Sequence, residues 1–186
     1  MKNRIINLFI LLLAYGLVAQ EYSLLENISY YGENVSDSYQ NERCKLDLYY
    51  PKGINNFPTV VWFHGGGLKS GNKSIPEQLK EKGIAVVAVN YRLHPKVKAP
   101  IYIEDAAAAV AWTFRNIAKH GGDPDKIIVS GSSAGGYLTL MIGLDKSYLL
   151  THQIKANDIL ALLSLTGHTI THFTVRAENN IPKTQP

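Results

Sequence analysis

Two short glycine-containing segments carry the residues most able to do chemistry in this chain. Residues 131–136 read Gly-Ser-Ser-Ala-Gly-Gly and contain the pattern Gly-x-Ser-x-Gly, and residues 64–67 read His-Gly-Gly-Gly. A serine hydroxyl becomes an effective nucleophile when a base activates it and pre-aimed donors stabilise the oxyanion that forms on its substrate. In the first segment Ser133 is the candidate nucleophile, and its small neighbours permit the tight turn that would expose it. The two segments together predict acyl transfer to Ser133.

The two motifs differ in how informative each one is alone. A Gly-x-Ser-x-Gly pattern occurs by chance in about one chain in ten of this length, given average glycine and serine usage. His-Gly-Gly-Gly is expected far below about 1% of the time on the same composition. Each motif follows an apolar run, Thr59–Phe63 or Ile127–Val129, as an oxyanion loop and a nucleophile elbow require. The pair is therefore much more specific than either motif.

The segments that must position these motifs alternate between predicted strands and predicted helices. Tyr22–Tyr31 and Lys45–Tyr50 predict an antiparallel entry to a sheet, because apolar and polar residues alternate along the second of them. Thr59–Phe63 and Ile84–Val89 are continuous apolar runs, which are typical of strands buried on both faces in a parallel sheet. Ile159–Leu165 is the last apolar run, and we interpret it as the last strand.

Three helices are predicted between these strands. Ser74–Gly83 offers a possible N-cap, an early proline and a closing glycine, which indicate a crossover helix. Apolar residues from Ile103 to Ile117 recur at three- and four-residue steps, and Ala134–Leu144 follows the elbow. Asp123–Lys126 is predicted to turn the chain into the elbow strand. The order predicts an α/β fold with a mostly parallel sheet, helices on both faces, and function at the carboxyl ends of the strands.

Five segments of the chain occur in the order that they have in one enzyme family. They are His64–Gly67, Asn90–Leu93, Glu104–Asp105, Gly122–Pro124 and Gly131–Gly136. From about Lys45 to Leu165 the chain therefore resembles α/β-hydrolase-fold esterases of the hormone-sensitive-lipase-like and carboxylesterase type.

The resemblance implies a reaction and a set of site residues. The reaction is hydrolysis of a carboxylic ester through an acyl-enzyme on Ser133. The implied oxyanion hole consists of the backbone N–H groups of Gly66, Gly67 and Ala134, with Gly65 shaping the loop.

The catalytic acid and histidine that should follow the nucleophile are harder to find. In this fold the triad runs in the order Ser, then Asp or Glu, then His, and its last two members follow later strands. The acids after Ser133 are Asp145, Asp158 and Glu178, and the histidines are His152, His168 and His172. We expect the usual acid and histidine to be absent, with His168 and His172 as weak candidates that are better explained as satisfied loop histidines.

The expected absence of the acid and the histidine favours a fold that lacks its last strands. It leaves two functional interpretations open. The leading one is a working serine esterase. The alternative is a catalytically inactive remnant that at most binds a ligand. Missing strands would leave one sheet edge uncovered, so we expect the chain alone to be poorly soluble or to associate.

The amino terminus predicts export. Lys2 and Arg4 precede an apolar run from Ile5 to Val18, and Ala19 offers a small residue for cleavage, which is the pattern of a signal peptide over residues 1–19. The run is too short for a stable membrane anchor. We therefore expect a secreted or periplasmic protein. We expect an incomplete α/β-hydrolase domain over residues 20–176 and a disordered tail over residues 177–186.

The composition excludes several other classes of function. The formal charge of +4 falls to about +2 once Lys2 and Arg4 are removed, which does not indicate nucleic-acid binding. Cys44 is the only cysteine, so an intramolecular disulfide is impossible, and we interpret it as a small core residue. The histidines lack metal-ligand spacing and no dinucleotide motif is present. We therefore expect no metal and no cofactor, and a small-molecule or polysaccharide-borne ester as substrate.

Two further residues receive structural interpretations. We expect His64 to shape its loop through a hydrogen bond rather than to act as a base, because it precedes the glycines. We expect Arg92, at a strand end, to pair with Glu104 or Asp105.

Overall fold

A six-stranded mixed sheet forms the centre of the computed structural model, which describes residues 20–33, 35–167 and 172–182. The strands are β1 (Tyr22–Ser29), β2 (Lys45–Pro51), β3 (Phe57–Phe63), β4 (Ala85–Val89), β5 (Gly122–Ser132) and β6 (Ala161–Leu165). The helices are α1 (Ser38–Arg43), α2 (Ile101–Asn116), α3 (Ala134–Leu144), α4 (Ser147–Leu150) and α5 (Phe173–Glu178). Short 3₁₀ turns occupy Glu77–Leu79, Ile117–His120 and Ala156–Asp158.

The strand order is β1-β2-β4-β3-β5-β6, which places the strands before the two glycine motifs side by side. β1 pairs antiparallel with β2, and β2 pairs antiparallel with β4. The pairs β3–β4, β3–β5 and β5–β6 are all parallel. The prediction of a mostly parallel sheet with an antiparallel entry is confirmed. Because β3 and β5 are parallel neighbours, their carboxyl ends bring His64 and Ser133 to the same edge.

The two long helices, α2 and α3, pack on one face of the sheet and on each other. The buried core lies between them and the strand residues that face them, such as Val61, Val87 and Val129. Alanines dominate the buried side of α2, which lets its backbone approach the sheet closely. On the opposite face, Trp62, Ser130 and Leu163 lie in one row across three strands. Within the described residues, this second face carries no long helix.

The crossover between β3 and β4 corrects one prediction. The expected helix over Ser74–Gly83 is wrong, because only Glu77–Leu79 forms a 3₁₀ turn. No side chain caps that turn, and Lys80 is already extended, so the chain leaves helical geometry after one turn. A nucleus this short fixes several backbone torsions for very few hydrogen bonds. The second face of the sheet is thus crossed by an irregular segment instead of a helix.

Other boundaries also differ from the expected ones. The expected turn Asp123–Lys126 is an irregularity inside the long strand β5, because the register with β3 shifts between Phe57 and Thr59. α1, α4 and α5 were not predicted, since each is only four to six residues long. Helices this short contain too few turns to display an apolar period.

The ends of the chain are described only in part. The expected signal peptide, residues 1–19, lies outside the described residues, as do residues 183–186. Residues 177 and 178 of the expected disordered tail belong to α5, and Glu178 is buried. Among the described residues, no helix combines the length and the apolar character needed to cross a membrane.

Candidate active site

Ser133 occupies the single residue between a strand and a helix. β5 ends at Ser132 and α3 begins at Ala134, and Ser133 takes φ 54° and ψ −112°. A positive φ is costly for a residue with a side chain, typically about 1–3 kcal/mol, and persists only where the surroundings enforce it. Here the Ser133 N–H donates to the Leu165 carbonyl at 2.8 Å, which ties the junction to the end of β6. The strained turn is the geometry that the Gly-x-Ser-x-Gly motif predicts.

Glycines beside Ser133 allow the helix and the strands to meet. A Cβ atom added at Gly131 would lie 2.5 Å from the carbonyl oxygen of Gly135, and one added at Gly135 would lie 2.0 Å from that of Phe63. Both distances are far inside van der Waals contact with backbone atoms that cannot rotate away. The motif glycines therefore bring α3 down onto the ends of β3 and β5.

The His-Gly-Gly-Gly loop lies directly against this junction. A Cβ atom added at Gly65 would lie 3.0 Å from the Ser132 carbonyl oxygen and 3.4 Å from the Ser133 Cβ. Gly66 and Gly67 have φ values of 114° and 64°, which side chains disfavour. At Gly66 an added Cβ would also lie 2.0 Å from the Ser70 carbonyl oxygen. The glycines thus allow both the reversal of the loop and its approach to Ser133.

The backbone N–H groups of Gly66, Gly67 and Ala134 lie at this edge, and within the described residues none of them donates to a carbonyl or a side chain. Backbone donors in a folded protein are nearly all paired with protein or water. A set of open donors around a strained serine can stabilise negative charge on a substrate oxygen.

The His64 side chain braces the loop, as the sequence interpretation expected. Its Nδ1 lies 2.6 Å from the Gly65 carbonyl oxygen, and its ring stacks on Tyr91 at 4.5 Å between centroids. The Tyr91 hydroxyl donates to the His64 carbonyl at 2.8 Å. Burial, with a smaller contribution from the nearby Arg43 cation, lowers the pKa of His64 to about 4. The ring is therefore neutral at neutral pH and donates its Nδ1 proton to Gly65.

Arg43 is a residue of this site that the sequence did not reveal. Its Nε donates to the Tyr91 carbonyl at 2.9 Å, and one terminal nitrogen donates to Asn72 Oδ1 at 2.6 Å. The other terminal nitrogen donates to the Gly71 carbonyl and lies 3.3 Å from His64 Nε2. One guanidinium therefore holds the back of the His-Gly-Gly-Gly loop from α1. No sequence motif signals this role, because the partners are separated from Arg43 by more than twenty residues.

Arg92 has the structural role that the sequence predicted. Its Nε and one terminal nitrogen donate to the Asp105 carboxylate at 2.9 and 2.7 Å, and its backbone N–H donates to the same group at 3.0 Å. Tyr31 also donates to Asp105, at 2.9 Å. Of the two candidate partners of Arg92, Asp105 forms the pair, whereas Glu104 is exposed. This buried pair fixes the start of α2 to the end of β4.

The structure describes two of the three histidines that follow Ser133. His168 lies outside the described residues. His172 is fully buried, and its Nδ1 accepts the Thr174 N–H at 3.2 Å, so the ring caps α5. His152 follows α4, and its carbonyl accepts a bond from Arg115. Within residues 20–33, 35–167 and 172–182, no hydrogen bond joins the Ser133 hydroxyl to a histidine ring.

The acids after Ser133 are also separated from one another. Asp145 accepts bonds from Ser147 at the end of α3, and Asp158 is exposed in a 3₁₀ turn. Glu178 is buried and contacts three groups: His94 Nδ1 and the Ala99 N–H at 3.0 Å each, and the Tyr102 hydroxyl at 3.3 Å. Its role is to anchor α5. Among the described side chains, no group of three or more His, Cys, Asp or Glu residues is placed to hold a metal ion.

Comparison with known proteins relates this arrangement to esterases. The BD-FAE family model matches residues 46–166, well over half of the chain. Carboxylesterase NlhH of Mycobacterium tuberculosis is 37% identical over 101 residues, which cover 51% of this chain and 32% of that protein. The chain thus spans about a third of this relative.

Solved structures show the same fold. Esterase B from Lactobacillus rhamnosis has a TM-score of 0.60 at 27% identity, covering 74% of this chain and 45% of that one. A truncated form of a carbohydrate esterase from gut microbiota has a TM-score of 0.58 at 27% identity, covering 70% of this chain and 46% of that one. The range matched by the BD-FAE family model includes both glycine motifs.

Proposed function

Since the chain belongs to the BD-FAE family, we propose that it cleaves carboxylic esters through an acyl-enzyme on Ser133. The observation that carries this proposal is the strained Ser133 at φ 54°, with Gly65 packed against it and open backbone donors beside it. Strain of this kind is retained at functional sites because it aims a side chain.

The proposed reaction has two steps. In the first, Ser133 Oγ attacks the ester carbonyl carbon and loses its proton to a base, and the carbonyl oxygen becomes an oxyanion. The N–H groups of Gly66, Gly67 and Ala134 donate to that oxygen. The carbon–oxygen bond to the alcohol then breaks, and the alcohol leaves with a proton. In the second step water attacks the acyl-enzyme and releases the acid.

The base must be a side chain that can accept the Ser133 proton. Because Nδ1 of His172 accepts the Thr174 N–H, its neutral ring carries its proton on Nε2. Nε2 is then a donor, so His172 is poorly suited to accept the Ser133 proton. We propose His168 as the candidate base of this chain, because it follows the last residue of β6 by three positions in the sequence.

The proposed substrate is an ester with a small or polysaccharide-borne acyl group. A carbohydrate esterase is among the structures that share the fold. Export, proposed from residues 1–19, would place the protein where such substrates occur.

The proposal is tested by reaction with a fluorophosphonate, which forms a covalent bond to an activated serine. We expect purified chain to be labelled on the tryptic peptide that contains Ser133, and we expect Ser133→Ala to abolish labelling. Ser132→Ala is the matched control. It removes the hydroxyl of the neighbouring residue, which lies in β5, and it should leave labelling in place.

Two other outcomes carry information. Labelling of Ser133 that persists at full rate in His168→Ala would reject His168 as the base while keeping the nucleophile. Folded chain that gives no labelling would contradict the proposed function and favour a protein that only binds its ligand.

A further inference from the structure

Helix α5 covers one side of the oxyanion loop. A Cβ atom added at Gly67 would lie 3.0 Å from Cζ of Phe173 and 3.5 Å from its Cε2, so the phenyl ring rests against the loop backbone. The next residue, Thr174, donates its hydroxyl proton to the Gly67 carbonyl at 2.6 Å. A hydrogen bond from Thr174 and a ring contact from Phe173 thus hold the start of α5 against the loop.

Other residues at the two ends of α5 contact parts of the protein outside the loop. Glu178 at its other end is buried and holds His94, the Ala99 N–H and the Tyr102 hydroxyl. At its start, the buried His172 ring lies 5.2 Å from the Tyr137 ring of α3. With both ends held, the ring of Phe173 has a defined position.

Phe173 itself is half exposed, at 52% of its surface, although it is large and apolar. Its neighbours Thr174 and Val175 are buried, so the exposure belongs to this side chain rather than to the helix. An aromatic ring that is held in place, half exposed and packed against Gly67 lies beside one of the proposed oxyanion donors.

We propose that Phe173 forms the wall of the acyl subsite and limits the length of the acyl group, an inference that rests on the proposed function. The acyl carbonyl oxygen stays in the oxyanion loop through both steps, whereas the alcohol departs after the first. A side chain fixed to that loop therefore acts on the acyl group. The expected preference is for short acyl chains.

The test compares two fluorophosphonates that differ only in the alkyl group on phosphorus, methyl or octyl. The phosphonyl group takes the place of the acyl group on Ser133. We expect Phe173→Ala to raise the ratio of octyl to methyl labelling rates by roughly tenfold, since a few methylene groups in a pocket discriminate by about this much. Phe173→Trp should change the ratio in the opposite direction. Phe114→Ala, which truncates a partly buried phenylalanine of α2, should leave the ratio unchanged.

The possible outcomes separate this inference from the proposed function. An unchanged ratio in Phe173→Ala, with Ser133 still labelled, overturns the acyl-wall role alone. Wild-type chain that neither probe labels overturns both proposals. If Phe173→Ala fails to show a cooperative melt, Phe173→Leu and Phe173→Trp keep an apolar side chain, and their opposite shifts decide the matter. A series of acetate esters with increasing alcohol length should show no dependence on residue 173, and a dependence there would assign the ring to the alcohol side instead.

Discussion

Single residues far from Ser133 in the sequence hold the groups around it. His64, Tyr91 and Arg43 form a stack of contacts behind the loop, and each contact fixes a backbone carbonyl rather than a substrate. Positioning of this kind matters because oxyanion donors stabilise charge only when they are aimed before the reaction begins. Substitutions behind the loop should therefore change rate more than they change substrate affinity.

Arg43→Ala should slow phosphonylation of Ser133 by about tenfold or more, because it removes four contacts to the loop and its surroundings, and small displacements cost rate. The measurement is the rate of fluorophosphonate labelling at several probe concentrations, which separates the maximal rate from the half-saturating concentration. Glu42→Ala, an exposed neighbour on α1, is the control. A change confined to the half-saturating concentration would contradict a positioning role.

His64 should make the stability of the protein depend on pH. Burial holds its folded pKa at about 4, whereas the unfolded chain has the ordinary value of 6.5. Between these values the unfolded state binds more protons, so the free energy of unfolding should fall as pH drops from about 6.5 to about 4. The full effect is roughly 3 kcal/mol. Urea unfolding of wild type and His64→Gln at several pH values checks this, and equal slopes in the two proteins would disprove it.

At the scale of secondary-structure elements, the correct predictions are those for strands and helices whose own residues carry a hydrophobic pattern. β3, β4, α2 and α3 were predicted near their observed positions, because each has an apolar run or a helical period of its own. The helix expected over Ser74–Gly83 was wrong because the end signals were present without an apolar face to bury. α5 was missed because its contacts with Gly67 and His94 are distant in sequence.

The same limit applies to the candidate site. Ser133 and the glycines are recognisable because their geometry depends on neighbours within a few residues. Arg43 and Phe173 act through contacts that only the tertiary fold creates, so their residue types carry no signal by themselves.

The elbow glycine should be much less replaceable than a glycine later in the same helix. Gly135→Ala places a Cβ 2.0 Å from the Phe63 carbonyl, whereas Gly143→Ala places one 2.1 Å from a methyl group of Leu162, which can rotate. We expect Gly135→Ala to lose about 3 kcal/mol or more, and Gly143→Ala to lose less, since overpacking is relieved by side-chain movement and alanine favours helix. Urea midpoints measure both, and similar losses would refute the distinction.

For the whole molecule, the less covered sheet face exposes apolar side chains within the part of the chain that the structure describes. Leu163 and Leu165 on β6 are each 50% exposed and, being two residues apart, point to the same side. Apolar patches on a strand at a sheet edge favour association. The association expected from the sequence stays a prediction.

The chain should therefore self-associate at micromolar concentration. Replacing Leu163 and Leu165 together by Lys should weaken association at least about tenfold, because each buried leucine contributes about 1.5–3 kcal/mol. Light scattering after size exclusion measures the mass. Leu144→Lys, at the exposed end of α3, is the control. Wild-type chain that stays monomeric at high concentration would contradict this prediction.

The hydrogen bond from Thr174 to Gly67 spans 107 residues, and this separation has a consequence for biosynthesis. On the ribosome, the His-Gly-Gly-Gly loop and the segment around Ser133 emerge well before α5, which packs on the loop. A nascent chain thus carries Ser133 and its glycines with the ring of Phe173 still inside the exit tunnel. The contact between Phe173 and the loop can therefore form only after the segment that carries Ser133 has left the ribosome.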